Sequence, residues 1–313
     1  MRLIKEKTSI DFLSGSRRNI AVGFSILIVV VSLVSLSLRG LNLGIDFTGG
    51  ILLEVGYPQD ADLPDIRNKL DAAGFERSIV QAFGNTTDVL VRLPPQPGED
   101  STEIRDRLFE ILSGGDSRVD LRRVELVSAQ VGEELTEQGG LAMIFAITMI
   151  FVYVMFRFQW KFAIGAVAAL LHDVIVTVGF FSFTQISFDL TVVAAVLAVI
   201  GYSLNDTVVA FDRIRENFTK LRGASAEESM NVSVNEMLAR TIITGVTTLV
   251  VLAALLTLGG ESVGPFSIAL IVGIVVGTYS SIYTASATAL MLHVNAQDLM
   301  PPEIDPEAID ELP

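Results

Sequence analysis

The chain contains no cysteine and only two histidines. Without thiols, no segment can be held by disulfides, so any part outside a membrane must fold on its hydrophobic core alone. The same shortage leaves too few soft ligands for a metal cluster. Charge is also scarce: 19% of the residues are Asp, Glu, Lys or Arg, whereas 50% are hydrophobic. A soluble domain of this length would not tolerate that mixture on its surface. The formal net charge of −14 disfavours nucleic acid as a partner. No phosphate-binding loop or nucleophile constellation is found, which argues against ATP hydrolysis and enzymatic catalysis, and no cofactor is implied.

What the chain has in abundance is long apolar runs. Six of them, 19–38, 139–156, 162–184, 189–211, 239–259 and 264–293, approach the roughly 20 residues that cross a bilayer. The first follows a basic leader, 1–18, as a signal peptide would. Its apolar stretch is longer than a signal h-region and no small-x-small cleavage site follows, so it is expected to remain as an anchor. Lys and Arg concentrate in that leader (Arg2, Lys5, Lys7, Arg17, Arg18), in the link 157–161 and in the link 212–238 (Arg213, Arg215, Lys220, Arg222). The positive-inside rule then places both termini in the cytoplasm, with the acidic tail 294–313 inside and residues 39–138 outside. Within the link 212–238, Ser225-Ala226-Glu227-Glu228 forms a capping box ahead of Met230, Val234, Met237 and Leu238 on one face. The expectation is an amphipathic helix lying along the inner membrane surface before it turns into the fifth span. Gly273-x-x-x-Gly277 in the sixth span permits close approach of another helix.

The loop 39–138 reads as a domain. An extended run, 46–57, precedes a helix over 62–73, with Leu63, Ile66 and Leu70 at helical spacing and Gly74 just past its end. Strands over 78–83 and 88–93 flank the turn Gly84-Asn85-Thr86-Thr87. Pro94, Pro95, Pro97 and Gly98 break the chain, a second helix over 101–112 places Ile104, Leu108 and Ile111 in register, and a last strand over 122–131 returns toward the membrane. The order is β-α-β-β-α-β. The expected fold is therefore a polytopic α-helical membrane protein with six transmembrane helices and an α+β, ferredoxin-like domain between the first two.

Two carboxylates lie inside apolar runs: Asp173 in the third and Asp206 in the fourth. An Asp near the centre of a membrane helix costs about 2.5–3.5 kcal/mol on the insertion scale, so it persists where something offsets that cost. Asp206 is the candidate proton carrier, because desolvation and a movable cation act on a carboxylate in opposite directions. Arg240 is the candidate cation; it precedes Thr244, Thr247 and Thr248 on one face of the fifth span, and Ser203 shares the face of Asp206. Those two polar stripes are expected to face each other. Interhelical polar glue, with Arg240 snorkelling, is the competing reading. For His172-Asp173 a relay and a satisfied core pair are equally compatible with the residues, which point about 100° apart on a helix. Directly after the first span, Gly44-Ile45-Asp46-Phe47-Thr48-Gly49-Gly50 permits positive φ and close backbone approach, the makings of a bend or hinge that sets the domain on the membrane.

Taken together, Gly44–Gly50, Leu171-His172-Asp173, the stretch Gly201-Tyr202-Ser203-Leu204-Asn205-Asp206-Thr207 running into Phe211-Asp212-Arg213-Ile214-Arg215-Glu216-Asn217, and Arg240-Thr241 resemble the SecF family of the bacterial Sec protein-export machinery. The resemblance extends over nearly the whole chain. It implies pairing with SecD in a twelve-span unit similar to proton-driven RND exporters. That unit would work beside the SecYEG channel, with YajC and YidC as associates, drawing unfolded preprotein across the bacterial inner membrane on proton influx. It also tips Asp206 and Arg240 toward proton transfer, with Asp173 as the candidate second relay group and His172, Ser203, Asn205, Thr207 and Thr244 as supporting polar residues. Half of an RND-type exporter of small molecules or lipids, and a scaffold whose buried charges only hold helices together, are the alternatives.

Overall fold

The computed structural model describes residues 9–75, 78–96, 101–221, 223–260 and 263–295. Expectations for Arg2, Lys5, Lys7, Pro97, Gly98, Arg222 and the tail from residue 296 onward lie outside them. Among the described residues six helices are long and apolar enough to cross a membrane: α1 (Gly15–Arg39), α5 (Ala129–Arg157), α6 (Trp160–Thr184), α7 (Leu190–Lys220), α8 (Ala226–Leu258) and the sixth span Gly264–Met291. The sixth is divided at Tyr283 into α9 (Gly264–Ile282) and α10 (Thr284–Met291). Burial within the chain is uneven. α6 and α7 are about half enclosed, whereas α5 and α8 leave most of their apolar surface open, as lipid-facing helices can because hydrocarbon is as apolar as Leu.

Between α1 and α5, after the single helical turn α2 (Ile45–Thr48), lies the small domain: β1 (Gly50–Gly56), α3 (Leu63–Ala72), β2 (Ile79–Phe83), β3 (Asn85–Leu93), α4 (Ser101–Ser113) and β4 (Asp120–Val127). The strand order β2-β3-β1-β4, with every neighbouring pair antiparallel, is that of a split β-α-β sheet. Strand alternation sorts the residues. Ile51, Leu53, Val55, Val89, Val91 and Leu93 point to the side covered by Ile66 and Leu70 of α3 and Ile104, Leu108 and Leu112 of α4. The opposite face carries a second, smaller cluster, in which Leu52 and Leu90 pack with Ile45. This face looks toward the helix ends.

Several boundaries depart from the expectations. The segment expected to be extended from Asp46 is a helical turn up to Thr48, because Gly44 gives the backbone to Phe188 and the strand starts only after Gly49. The last strand ends at Val127: Ser128 accepts a hydrogen bond from Val131 N–H at 3.3 Å and starts α5 ten residues ahead of the apolar run. The helix after the capping box does not lie along the membrane surface and then turn. Ser225 caps Glu228 N–H at 3.1 Å, and α8 continues unbroken to Leu258. Its Met230, Val234 and Leu238 are buried against Phe12, Leu13, Phe211, Ile214 and Phe218, a core beyond the reach of a surface anchor. Asn231 and Asn235 complete this end of the bundle. Asn235 accepts from Ile10 N–H at 2.8 Å and donates to Ile10 C=O at 2.6 Å, while Asn231 accepts from Phe12 N–H at 2.7 Å.

Candidate functional site

Asp173 is fully buried near the middle of α6, and its carboxylate is satisfied on both oxygens. Ser203 of α7 donates to Oδ2 at 2.6 Å, Ser280 of α9 donates to the same oxygen at 2.8 Å, and His172 Nδ1 lies 3.1 Å from Oδ1. Neighbours in sequence thus do reach each other here, even though their Cβ atoms diverge. The imidazole of His172 lies against the Tyr279 ring, 6.1 Å between centroids, and Tyr279 in turn donates its hydroxyl to Ala21 C=O of α1 at 2.7 Å. One buried carboxylate therefore ties α6, α7 and α9 together.

These contacts depend on close helix approach. A Cβ at Gly273 would lie 2.2 Å from Val199 Cγ2, and one at Gly277 would lie 3.1 Å from Ser203 Cβ and 3.4 Å from Asp173 Oδ2. The two glycines thus line the seam between α9 and α7 within the chain, and the close approach they allow brings Ser280 to Asp173. One turn further along α7, the Thr207 hydroxyl hydrogen-bonds Ser281 at 3.1 Å.

Asp206 is 5% exposed, and its Oδ2 has no hydrogen-bond partner among the described residues. A carboxylate oxygen buried without a donor is a costly arrangement when ionised and a far cheaper one when protonated. The charge of Arg240 on α8 reaches it, but no hydrogen bond or ion pair joins the two among the described residues. The expected facing of two polar stripes is not formed. Ser203 turns to Asp173 and Ser280. Thr244, Thr247 and Thr248 donate to carbonyls of their own helix, at 3.0, 2.9 and 2.8 Å, and Thr247 is exposed. Arg240 and Asn205 are exposed as well. Ser280, Ser281 and Tyr279 were missed in the sequence; the four consecutive hydroxyl side chains Thr278-Tyr279-Ser280-Ser281 in a mostly apolar helix were the available signal.

The Gly44–Gly50 motif sits at the other end of α7. Asp46 Oδ2 accepts from Leu190 N–H at 3.0 Å, beside the N-cap Asp189, which accepts from Val192 N–H at 3.0 Å. Gly44 N–H donates to Phe188 C=O at 2.8 Å. Gly49 (φ 69°) and Gly50 (φ 121°) adopt left-handed backbone, and added Cβ atoms would lie 2.7 Å from Ala129 Cα and 2.2 Å from Leu93 O. The motif is a packed junction joining α1, the sheet, α5 and α7.

Comparison with known proteins decides the family. Residues 109–295 match the family described as protein export membrane protein SecD/SecF, C-terminal, and residues 34–61 match the SecD/SecF GG motif. The chain belongs to the SecD/SecF family. It is 49% identical to protein translocase subunit SecF of Pseudomonas aeruginosa, covering 95% of this chain and 96% of that one. It is 47% identical to the Vibrio alginolyticus SecF, over 100% and 99% of the two chains. Among solved structures it matches SecDF, a translocon-associated membrane protein from Thermus thermophilus, with a TM-score of 0.83 and 32% identity. That alignment covers 94% of this chain and 40% of the longer SecDF chain. SecDF in a super-membrane-facing form matches over the same shares with a TM-score of 0.69. The SecF relatives are named as protein translocase subunits.

Proposed function

We propose that the protein couples proton movement across the bacterial inner membrane to protein export, as the SecF partner of SecD beside the SecYEG channel. YajC and YidC are its further associates, and both of its termini face the cytoplasm. The observation that carries this reading is Asp206: a buried carboxylate in the centre of a membrane helix, one oxygen without a donor, within electrostatic reach of Arg240. Asp173 serves differently. With three partners it is the polar anchor that holds α7, through Ser203, to α6 and α9.

A proton loaded on Asp206 removes a charge whose burial costs several kcal/mol, and moving one charge through 100 mV yields about 2.3 kcal/mol. The two magnitudes are comparable, so protonation can shift how α7 packs on α8. At the opposite end of α7 the Asp46 cap and the Gly44–Phe188 hydrogen bond attach the sheet domain, which stands on the outer side of the membrane. Displacement of α7 thereby reaches the surface on which an emerging unfolded preprotein is held. Asp206→Asn mimics the permanently protonated form, and Arg240→Met removes the charge that favours proton release. In vesicles carrying the complete translocase, both variants are expected to assemble and to lose the part of export that responds to an imposed proton gradient. An equal response in wild type and both variants would overturn the reading.

A further inference from the structure

The open face of the sheet and the helix ends next to it enclose a cleft of about 860 Å³. Arg92 of β3 lines it. This residue is 7% exposed, and only its Nη2 is engaged, donating to Ser187 Oγ at 2.6 Å; Nε and Nη1 have no partner among the described residues. A buried guanidinium with open donors is unfavourable unless something accepts from it. Asp189, Asp46 and Glu125 act on Arg92 electrostatically, yet none forms an ion pair with it. Asp46 and Asp189 are turned to the N-terminus of α7, and Glu125 pairs with Arg123.

The cleft thus offers open donors for an anion beside carboxylates that would repel a simple anion. A simple cation would suit the carboxylates and leave Arg92 unsatisfied. A group that carries both signs a few ångströms apart meets both demands. The position of the cleft narrows the source. Its floor is the ends of the membrane helices, with Leu256 of α8 and Ile268 of α9 as apolar wall, which is the level of lipid headgroups. We infer that this cleft binds the headgroup of a zwitterionic aminophospholipid, with the phosphate on Arg92, the ammonium among Asp46, Asp189 and Glu125, and the acyl chains leaving over Leu256 and Ile268. Phosphate accepts a charge-assisted hydrogen bond from Nη1 of Arg92, and the primary ammonium supplies donors that a carboxylate accepts. The inference is independent of which residue carries the proton.

The test is lipid retention by the full chain after reconstitution in vesicles of equal phosphatidylethanolamine and phosphatidylglycerol, re-extraction in mild detergent and native mass spectrometry. Wild type is expected to retain phosphatidylethanolamine about tenfold over phosphatidylglycerol, the factor one good polar contact supplies. Arg92→Gln is expected to abolish that preference. Thr257→Trp, at an exposed cleft position whose hydroxyl bonds only its own helix, fills the cleft without touching Arg92 and is expected to do the same; it decides the matter if Arg92→Gln misfolds. Phosphatidylcholine, whose ammonium has no N–H, is expected to be retained no better than phosphatidylglycerol. Retention of the two lipids in equal amounts by wild type, unchanged preference in the variants, or full displacement by soluble glycerophosphoethanolamine would each overturn the inference.

Discussion

Asp46, seven residues beyond the end of α1, accepts the Leu190 backbone N–H at 3.0 Å and so caps the helix that carries Asp206. The first N–H groups of a helix have no intrahelical partner, and a carboxylate placed there also meets the positive end of the helix dipole. Because the bond crosses from the junction of the sheet domain to a membrane helix, it links the two mechanically.

Replacing Asp46 with Ala is expected to destabilise the start of α7 by about 0.5–2 kcal/mol, the usual value of a cap. Asp189 still caps Val192, so fraying should stay within the first turn. Amide exchange should rise at Leu190, whose N–H loses its acceptor, and remain unchanged beyond Val196. Exchange equal to wild type at Leu190 would show that the bond does not constrain α7.

The three glycines of the junction should differ in severity. Gly50→Val forces a side chain onto Leu93 O at left-handed φ, Gly49→Val meets Ala129 Cα, and Gly44→Ala meets nothing closer than Asp189 Cβ at 3.2 Å. The thermal melting temperature of the purified chain should therefore fall most for Gly50→Val, less for Gly49→Val and least for Gly44→Ala. A reversed order would mean that the backbone at Gly50 can relax freely.

The hydroxyls around Asp173 give a coupled pair. Ser203→Ala and Ser280→Ala each remove one donor from the same oxygen, and interhelical hydrogen bonds in membranes are typically worth about 0.6–1.7 kcal/mol. Together they leave Oδ2 buried without either serine, so the double variant should cost more than the sum of the singles. Additive losses would show that a water or His172 takes over the vacated positions.

The architecture was legible because its signals are of long range and redundant. Twenty consecutive apolar residues admit few other readings, and the β-α-β-β-α-β order emerged from alternation, helical spacing and turn residues acting together. What escaped the sequence was partner choice. Ser203 and Thr244 share polarity and fit opposing stripes equally well, yet Thr244 satisfies its hydroxyl on its own helix, an option open to any helical Thr. Nothing local distinguishes the two outcomes. Asp46 was legible as a bend residue but not as the cap of a helix some 144 positions away, since that depends on how the segment after α1 meets the start of α7. The link helix was misplaced for the same reason: its apolar face suits a membrane surface or a protein core, and Phe12, Phe211 and Phe218 provide the core.

Tyr57 provides a pH signature for the sheet domain. Its phenol donates to Leu112 C=O at 3.0 Å, and burial, reinforced by Asp65, pushes it up to about 12. The unfolded chain releases this proton near pH 10, so the folded state holds it over the interval between the two values. Stability should therefore be unaffected below about pH 10 and fall as pH rises from there toward 12. Tyr57→Phe should remove a component near pH 12 from the tyrosinate absorbance titration and flatten that fall. A titration identical to wild type would place Tyr57 among the ordinary tyrosines.

The seam between α7 and α9 can be tested by moving bulk across it. Any side chain at Gly273 meets Val199, with Cγ2 at 2.2 Å and Cγ1 at 2.7 Å from the added Cβ, so Gly273→Ala alone must push the helices apart or twist Val199 off its rotamer. Overpacking of this kind typically costs about 1–3 kcal/mol. Val199→Ala alone opens a cavity and is also expected to destabilise, because Val199 is 1% exposed. In the double variant the methyl group introduced by Gly273→Ala enters the space the valine leaves. Its stability should return to within about 0.5 kcal/mol of wild type, a favourable coupling that only direct contact produces. The same cycle reads the mechanism. Widening the seam lifts Ser280 from Asp173 and shifts the helix that bears Asp206, so Gly273→Ala should weaken gradient-dependent export and the double variant should restore it. Stability recovered without export would separate packing of α7 from its role in proton coupling.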